Sequence, residues 1–401
     1  MVRTVWCVVK PIGVPAAIAA AIAFGHGPML AAVPLTTTSE YVYVTHRIFG
    51  PSFVSALRVD PTTGSLSNVA GSPFPTAVFT WDVKVDPRNR YLYATDTQTA
   101  DISAFAISPA SGALTPIPGS PFPFGFDPRS LAIHPSGRFL YASEIDFELP
   151  ARRIDPVTGG LSQLPGAPFP GPSLSSGIAI HPNGRFLYLA EGQNSTGGFD
   201  STIWTYALDP QTGTLAQIGI PVPSGTRTRE IAIDAAGRFL YTVNADSVDI
   251  RAFAIDAGSG LLTPIAGSPF AAIPDVRTLA IGGRRFVGHQ ATGQDFLYVV
   301  SKSGSSVLAF VRDLETGALT PVPGSPFAVP AAPEDVVLDC TGRFAYVSHG
   351  DPVNAVSTLR IDPSSGAVAP VPGSPFPLGA PTALSIATTS FSCGSRQTPI
   401  R

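Results

Sequence analysis

Three arginines and a glutamate stand at equivalent places in a repeating chain. Arg129, Arg229, Arg277 and Glu334 each open a short apolar segment, and Trp81, Ser176 and Thr382 fill the same place in other copies. A guanidinium grips a planar oxyanion through two parallel hydrogen bonds, so arginines that converge would hold a carboxylate or a phosphate. A carboxylate beside them, from Glu334, Glu144 or Glu191, could then serve as general base or hydrogen-bond acceptor. Glu230 and Asp335 adjoin this set, and His46, Asp96, Glu144, Glu191, Asp246 and His349 follow the next segment along. The competing explanation is that these charges pair with one another around a water-filled channel and only fix geometry.

The elements that must position these residues follow from the repeat. The pattern Gly-Arg-Phe-Leu-Tyr, then Asp-Pro-x-Thr-Gly-x-Leu, then Gly-Ser-Pro-Phe recurs, and its tyrosine falls at Tyr43, Tyr93, Tyr141, Tyr188, Tyr241, Tyr298 and Tyr346. The steps of 50, 48, 47, 53, 57 and 48 residues mark one supersecondary unit that leans on its neighbours for a core. Ser130–His134 alternates as a strand, Pro135-Ser136-Gly137 is turn chemistry, and Phe139–Ala142 is a second strand. Ile102–Ile107 shows the third strand, and Leu161–Leu164 the fourth. Prolines such as Pro116, Pro264, Pro321 and Pro370 fall in or just after the fourth strand, where an outer edge needs no backbone donor. Four antiparallel strands per unit match a propeller blade.

The chain starts with a second strand, Tyr41-Val42-Tyr43, and ends with an orphan first strand near Leu384. The fold class is therefore all-β, a seven-bladed β-propeller with four antiparallel strands per blade, closed by the C-terminal strand. First strands line the central channel. Their starts open on one face, so the ring of Trp81, Arg129, Ser176, Arg229, Arg277, Glu334 and Thr382 is expected at the channel mouth.

Residues 1–32 read as a signal peptide or an uncleaved anchor, residues 36–393 as a single propeller, and 394–401 as a tail. Arg3 and Lys10 precede the apolar run Ile12–Phe24, and Ala31-Ala32 supply a small-residue exit. The expected destination is export, periplasmic or extracellular, with membrane contact only through an uncleaved N-terminal segment. Cleavage would leave Cys340 and Cys393, either a disulfide pair or two buried thiols. Charged residues are only 13% of the chain and the net charge is −3, with no basic stripe, so no nucleic-acid partner is expected. No metal-ligand spacing, phosphate loop or Gly-x-Ser-x-Gly elbow occurs, so neither metal nor cofactor is expected. His134 and His181 belong to turns, and Arg138, Arg185, Arg238 and Arg343 open strands on the face away from the mouth.

The repeated motifs resemble the seven-bladed propeller lactonase family, which includes bacterial 6-phosphogluconolactonases and fungal carboxy-muconate lactonizing enzymes. The resemblance spans about residues 36 to 391. It implies a site at the channel mouth, with a histidine opening one blade, an arginine the next, an Asn-Glu strand end, and a second arginine two blades on. In one register Arg229 and Asn244 match, while Ser176, Ala245 and Glu334 stand at the histidine, glutamate and second arginine. A rotated register puts Arg129 and Arg229 on the arginines and Trp81 at the histidine, with Glu144 one residue short of the glutamate. The resemblance thus implies Arg229, Arg129, Glu334 and Glu144 as catalytic candidates. Arg277, Asn244, Ser176 and Trp81 are the substrate-binding candidates.

Two functions remain open on this reading. One is an exported hydrolase of sugar-acid lactones such as 6-phosphogluconolactone, with the arginines stabilising the developing oxyanion. The other is a non-catalytic propeller that binds a partner protein or a glycan at its mouth.

Overall fold

A computed structural model describes residues 39–47, 50–125, 127–192, 200–282, 285–287, 290–292, 294–379 and 382–389. The N-terminal segment, Cys393 and the tail lie outside them. The described residues form seven antiparallel blade sheets and two two-stranded ribbons, and contain no helix. Blade five shows the plan: Thr228–Ile233, Phe239–Asn244, Asp249–Ile255 and Leu262–Pro264 pair in that order. The fourth strand ends on its proline, which pairs at the register Phe253↔Pro264. Blade one takes its innermost strand from the C-terminal end: Ala383–Thr388 pairs antiparallel with Tyr41–His46, with Tyr43 opposite Ala387.

The motifs do their structural work between blades. In six copies the tyrosine hydroxyl donates to the glycine carbonyl of a neighbouring Asp-Pro-x-Thr-Gly-type turn, as from Tyr93 to Gly159 at 2.8 Å and from Tyr241 to Gly317 at 2.8 Å. The glycine has φ of 74° at Gly159, and a Cβ there would fall 2.5 Å from the Tyr91 ring, so the turn admits no other residue without a shift. Within a blade, the serine of Gly-Ser-Pro-Phe accepts the third-strand amide, as from Ala104 N to Ser120 Oγ at 2.9 Å. The His-Pro turns join blades in the same way: His134 Nε2 lies 3.0 Å from the Gly184 carbonyl and His181 Nε2 lies 2.8 Å from that of Gly237. Arg138, Arg185, Arg238 and Arg343 stack on the phenylalanines that follow them, 5.3 to 5.5 Å from the ring centres.

Apolar clusters fill the spaces between adjacent blades. One unites Val42, Val44 and Leu57 of blade one with Phe344, Tyr346 and Val356 of blade seven, across the closure. Near the far end of the channel, Arg312 of blade six is buried with two carboxylates. Its Nε lies 2.9 Å from Asp295 Oδ2, and its Nη1 lies 3.3 Å from Asp234 Oδ2 of blade five. Cys340 is disulfide-bonded and also faces this end; its expected partner, Cys393, is outside the described residues.

One alignment needs correction. The closing strand has no tyrosine of its own to set its phase, and its start was placed at Thr382. Pairing of Tyr43 with Ala387 makes Leu384 the equivalent of Arg229, whose blade pairs Tyr241 with Ala232. Thr382 instead sits in the turn before the strand with φ of 55°, as do Phe79, Leu174, Arg227, Asp275 and Ala332 with φ of 50° to 63°.

Candidate active site at the channel mouth

The first strands of blades two, four, five, six and seven start irregularly. The ladder with the second strand shifts between Thr80 and Val83, Ser175 and Ile178, Thr228 and Glu230, Val276 and Leu279, and Pro333 and Asp335. A bulge of this kind re-aims side chains. In a regular strand Arg229 and Glu230 would point to opposite faces; with the bulge, both line the central cavity. Two tiers result. The outer tier is Trp81, Arg129, Ser176, Arg229, Arg277, Glu334 and Leu384, and beneath it lie Asp82, Ser130, Glu230, Thr278, Asp335 and Ser385. The cavity they enclose has a volume of about 320 Å³.

The outer tier is basic and unevenly neutralised. Arg129 pairs with Asp127 at 3.5 Å and Arg277 with Asp275 at 3.1 Å, while Glu334 is held by Lys302. Arg229 forms no ion pair with the described residues, and its buried Nε has no hydrogen-bond partner among them. Burial, then Arg227 and Arg277, pull its pKa down to about 10, so it still carries its charge at neutral pH. An oxyanion brought to Arg229 would supply the missing acceptor and relieve the repulsion from Arg277. Beside it lies an aromatic surface: the Trp81 ring has the Arg47 guanidinium 4.7 Å from its centre and that of Arg129 at 5.5 Å.

Arg47 and Lys302 were missed by the sequence reading. Both occupy the residue after the second strand, four beyond the repeated tyrosine. Comparison of that position across the copies would have found them, since the others are Thr97, Ile145, Gly192, Ala245 and Gly350.

Two candidates lie elsewhere. Glu144, two residues past the second strand of blade three, and Asn244, the last residue of that of blade five, are fully buried and not on the cavity wall. Asn244 accepts from Thr228 Oγ1 at 2.7 Å and donates to Asp249 Oδ1, which braces the loop before Arg229. Asp96 likewise accepts from Thr80 at 2.7 Å and His349 Nδ1 lies 3.2 Å from the Ala331 carbonyl, whereas His46 bonds Ser55 at 2.8 Å and Glu191 accepts from Thr202 at 2.8 Å on the third strands of their blades. The second-strand ends therefore buttress the mouth from behind. Burial pushes the Glu144 carboxyl up to about 8, helped by the nearby charges of Glu148 and Asp146. Ser176 is on the wall, but its hydroxyl donates to the Thr228 carbonyl at 2.8 Å. Among the described residues no group of three or more His, Cys, Asp or Glu side chains is arranged to hold a metal.

The fold recurs in known structures of low sequence identity. A periplasmic gluconolactonase from Pseudomonas aeruginosa superposes with a TM-score of 0.67 at 16% identity, covering 87% of this chain and 99% of its own. A candidate 6-phosphogluconolactonase from Bacteroides uniformis gives 0.66 at 14% identity, covering 88% of this chain and all of its own. A hydrazine synthase from Kuenenia stuttgartiensis gives 0.55 at 14%, covering 79% and 93%, so the architecture alone does not single out lactone chemistry. No curated protein matches the sequence. The model of the lactonase family of seven-bladed β-propellers matches residues 14–120 and 80–275, and on that match, which spans more than half of the sequence, the chain belongs to this family.

Proposed function

We propose that the protein hydrolyses the lactone of an acidic sugar at the channel mouth, and that it works outside the cytoplasm. The observation that carries the reading is Arg229, a charged and partly desolvated arginine on the cavity wall without an ion-pair partner among the described residues. Arg229 holds the anionic group or the developing oxyanion, flanked by Arg277 and Arg129. Trp81 offers its ring to the apolar face of the sugar. Preorganised cations of this kind stabilise charge as it forms on the carbonyl oxygen and need no reorganisation during the reaction. Family membership and a cavity of about 320 Å³, large enough for one sugar ring, support the same substrate class. Export is supported by the basic start and apolar run at Arg3–Phe24.

The test is hydrolysis of δ-gluconolactone and 6-phosphogluconolactone by the purified chain, followed in a pH-stat against the uncatalysed rate. Turnover of either supports the reading, and no acceleration of any sugar lactone refutes it. A second reading, binding of an anionic glycan without hydrolysis, draws on Ser176 and Glu334 being tied into structural contacts. Binding of the hydroxy-acid product without lactone turnover would favour it.

A further inference from the structure

Four carboxylates line the cavity: Asp82, Glu230, Glu334 and Asp335. Two have both oxygens bonded, and a third is ion-paired. Asp82 accepts from Val83 N at 2.8 Å, Ser385 Oγ at 2.7 Å and Lys84 Nζ at 3.0 Å through Oδ1, and from Leu131 N of blade three at 2.8 Å through Oδ2. Asp335 accepts from Val336 N at 2.7 Å through Oδ1, and from Ile386 N of blade one at 3.0 Å and Ser385 Oγ at 3.1 Å through Oδ2. Both staple neighbouring inner strands together. Glu334 is locked to Lys302. Glu230 differs. Among the described residues it accepts one hydrogen bond, from Ile231 N to Oε1 at 3.0 Å.

The chain also makes room for this side chain. The equivalent residue of blade four is Gly177, and a Cβ there would fall 2.8 Å from Glu230 Oε1. The ladder shifts at Thr228–Glu230, and Arg229 and Glu230 both line the same cavity. A group that Arg229 holds would therefore share its cavity with an incompletely bonded carboxyl from the same strand.

We propose that Glu230 is the general base of the mouth, a role that rests on the lactonase reading above. Glu230 takes a proton from water as the water oxygen attacks the lactone carbonyl. The new C–O bond forms, the bond from the carbonyl carbon to the ring oxygen breaks, and the proton returns to that ring oxygen as it becomes a hydroxyl. No other reactant is consumed. The charged groups that act on Glu230 are Lys84, Asp82 and Asp335, and Arg229, Arg277 and Thr278 line the same cavity. Burial outweighs Lys84 and brings the carboxyl up to about 8, which suits a base working near neutrality.

The experiment compares the wild-type chain with Glu230→Gln, and with Glu230→Asp as a second variant. The readouts are lactone hydrolysis from pH 5 to 9 and calorimetric binding of 6-phosphogluconate. Glu230→Gln is expected to lower kcat roughly 100-fold or more, the usual span for loss of a positioned base, while product affinity changes less than about threefold because the arginines remain. The wild-type rate should rise with pH through about 8, and that rise should vanish in Glu230→Gln. Glu230→Asp should retain part of the rate. Wild-type turnover with an unimpaired Glu230→Gln variant overturns the assignment and leaves the lactonase reading standing. A wild-type chain with no turnover overturns both.

Discussion

Replacing Arg229 with alanine isolates the interaction on which the site depends. In most buried ion pairs truncation strands the partner charge, so the loss mixes binding with destabilisation. Arg229 has no carboxylate partner among the described residues, and its nearest charged influences include the like charges of Arg227 and Arg277. The substitution should therefore leave the melting temperature within about 2 °C of wild type, because surface and rim changes without a named defect fall within about 0.5 kcal/mol. Its effect on an anion should be large. A hydrogen bond to a charged group contributes about 1.5–3 kcal/mol, and that range corresponds to roughly a 10- to 150-fold loss of affinity. Isothermal titration with 6-phosphogluconate at pH 7 and low salt measures it directly. Arg129→Ala is the internal control: Arg129 already shares its charge with Asp127 at 3.5 Å and is 36% exposed, so its loss should be smaller. Wild-type affinity should also decline as pH rises through about 10, where Arg229 gives up its proton, and Arg229→Ala should lack that decline. Equal affinities for wild type and Arg229→Ala would refute the reasoning, since the site would then not use a cation that has no ion pair among the described residues.

Three further outcomes follow from the scaffold. Tyr93→Phe deletes the 2.8 Å bond to Gly159 and should cost about 1 kcal/mol in denaturant unfolding, whereas Tyr346→Phe, whose hydroxyl has no partner among the described residues, should cost nothing measurable. Arg312→Met leaves Asp295 and Asp234 buried without their cation and should destabilise the fold by about 3–5 kcal/mol at pH 7; a loss below 1 kcal/mol would contradict the triad. Glu144 has a folded pKa near 8, above its ordinary value, so it holds its proton in the native state after the unfolded chain has released it, and stability falls as pH rises from about 4.5 to 8. Glu144→Gln should then stabilise the protein by roughly 1–3 kcal/mol at pH 8, change little at pH 4, and leave lactone turnover unaltered.

The fold was legible because the period is carried by residues with one structural job each. The tyrosine bonds the next blade's turn, the serine accepts a third-strand amide, and the aspartate of the hairpin accepts two amides of its own turn, as Asp60 does from Thr62 and Thr63. Such residues can be aligned by identity alone. The closing strand lacked that marker, because the tyrosine it pairs with lies more than three hundred residues upstream, and its phase slipped by two positions. Second-strand ends were misjudged for a different reason. A polar residue at a strand end is compatible with facing a ligand or bracing a loop, and Asn244 and His349 brace loops.

The lower tier of the site was hidden by the alternation rule itself. Neighbouring side chains on a regular strand point to opposite faces, so the sequence sets Glu230 beside Arg229 and Asp335 beside Glu334 without assigning either to the cavity wall. The bulge breaks the alternation, and nothing in the local sequence announces it: Thr228-Arg229-Glu230, Pro333-Glu334-Asp335 and Thr80-Trp81-Asp82 share no residue at the first two positions except a threonine. What the copies share is backbone, a left-handed residue just before the strand in six of the seven blades. That conformation costs a non-glycine residue energy of order 1–3 kcal/mol, and the buried second-strand ends supply the bonds that hold it. Asn244 tied to Thr228, and Asp96 tied to Thr80, fix the loop at the strand's first residue. The residues first expected to touch substrate thus maintain the irregularity that sets an arginine and a carboxyl side by side on one strand, both turned into one cavity.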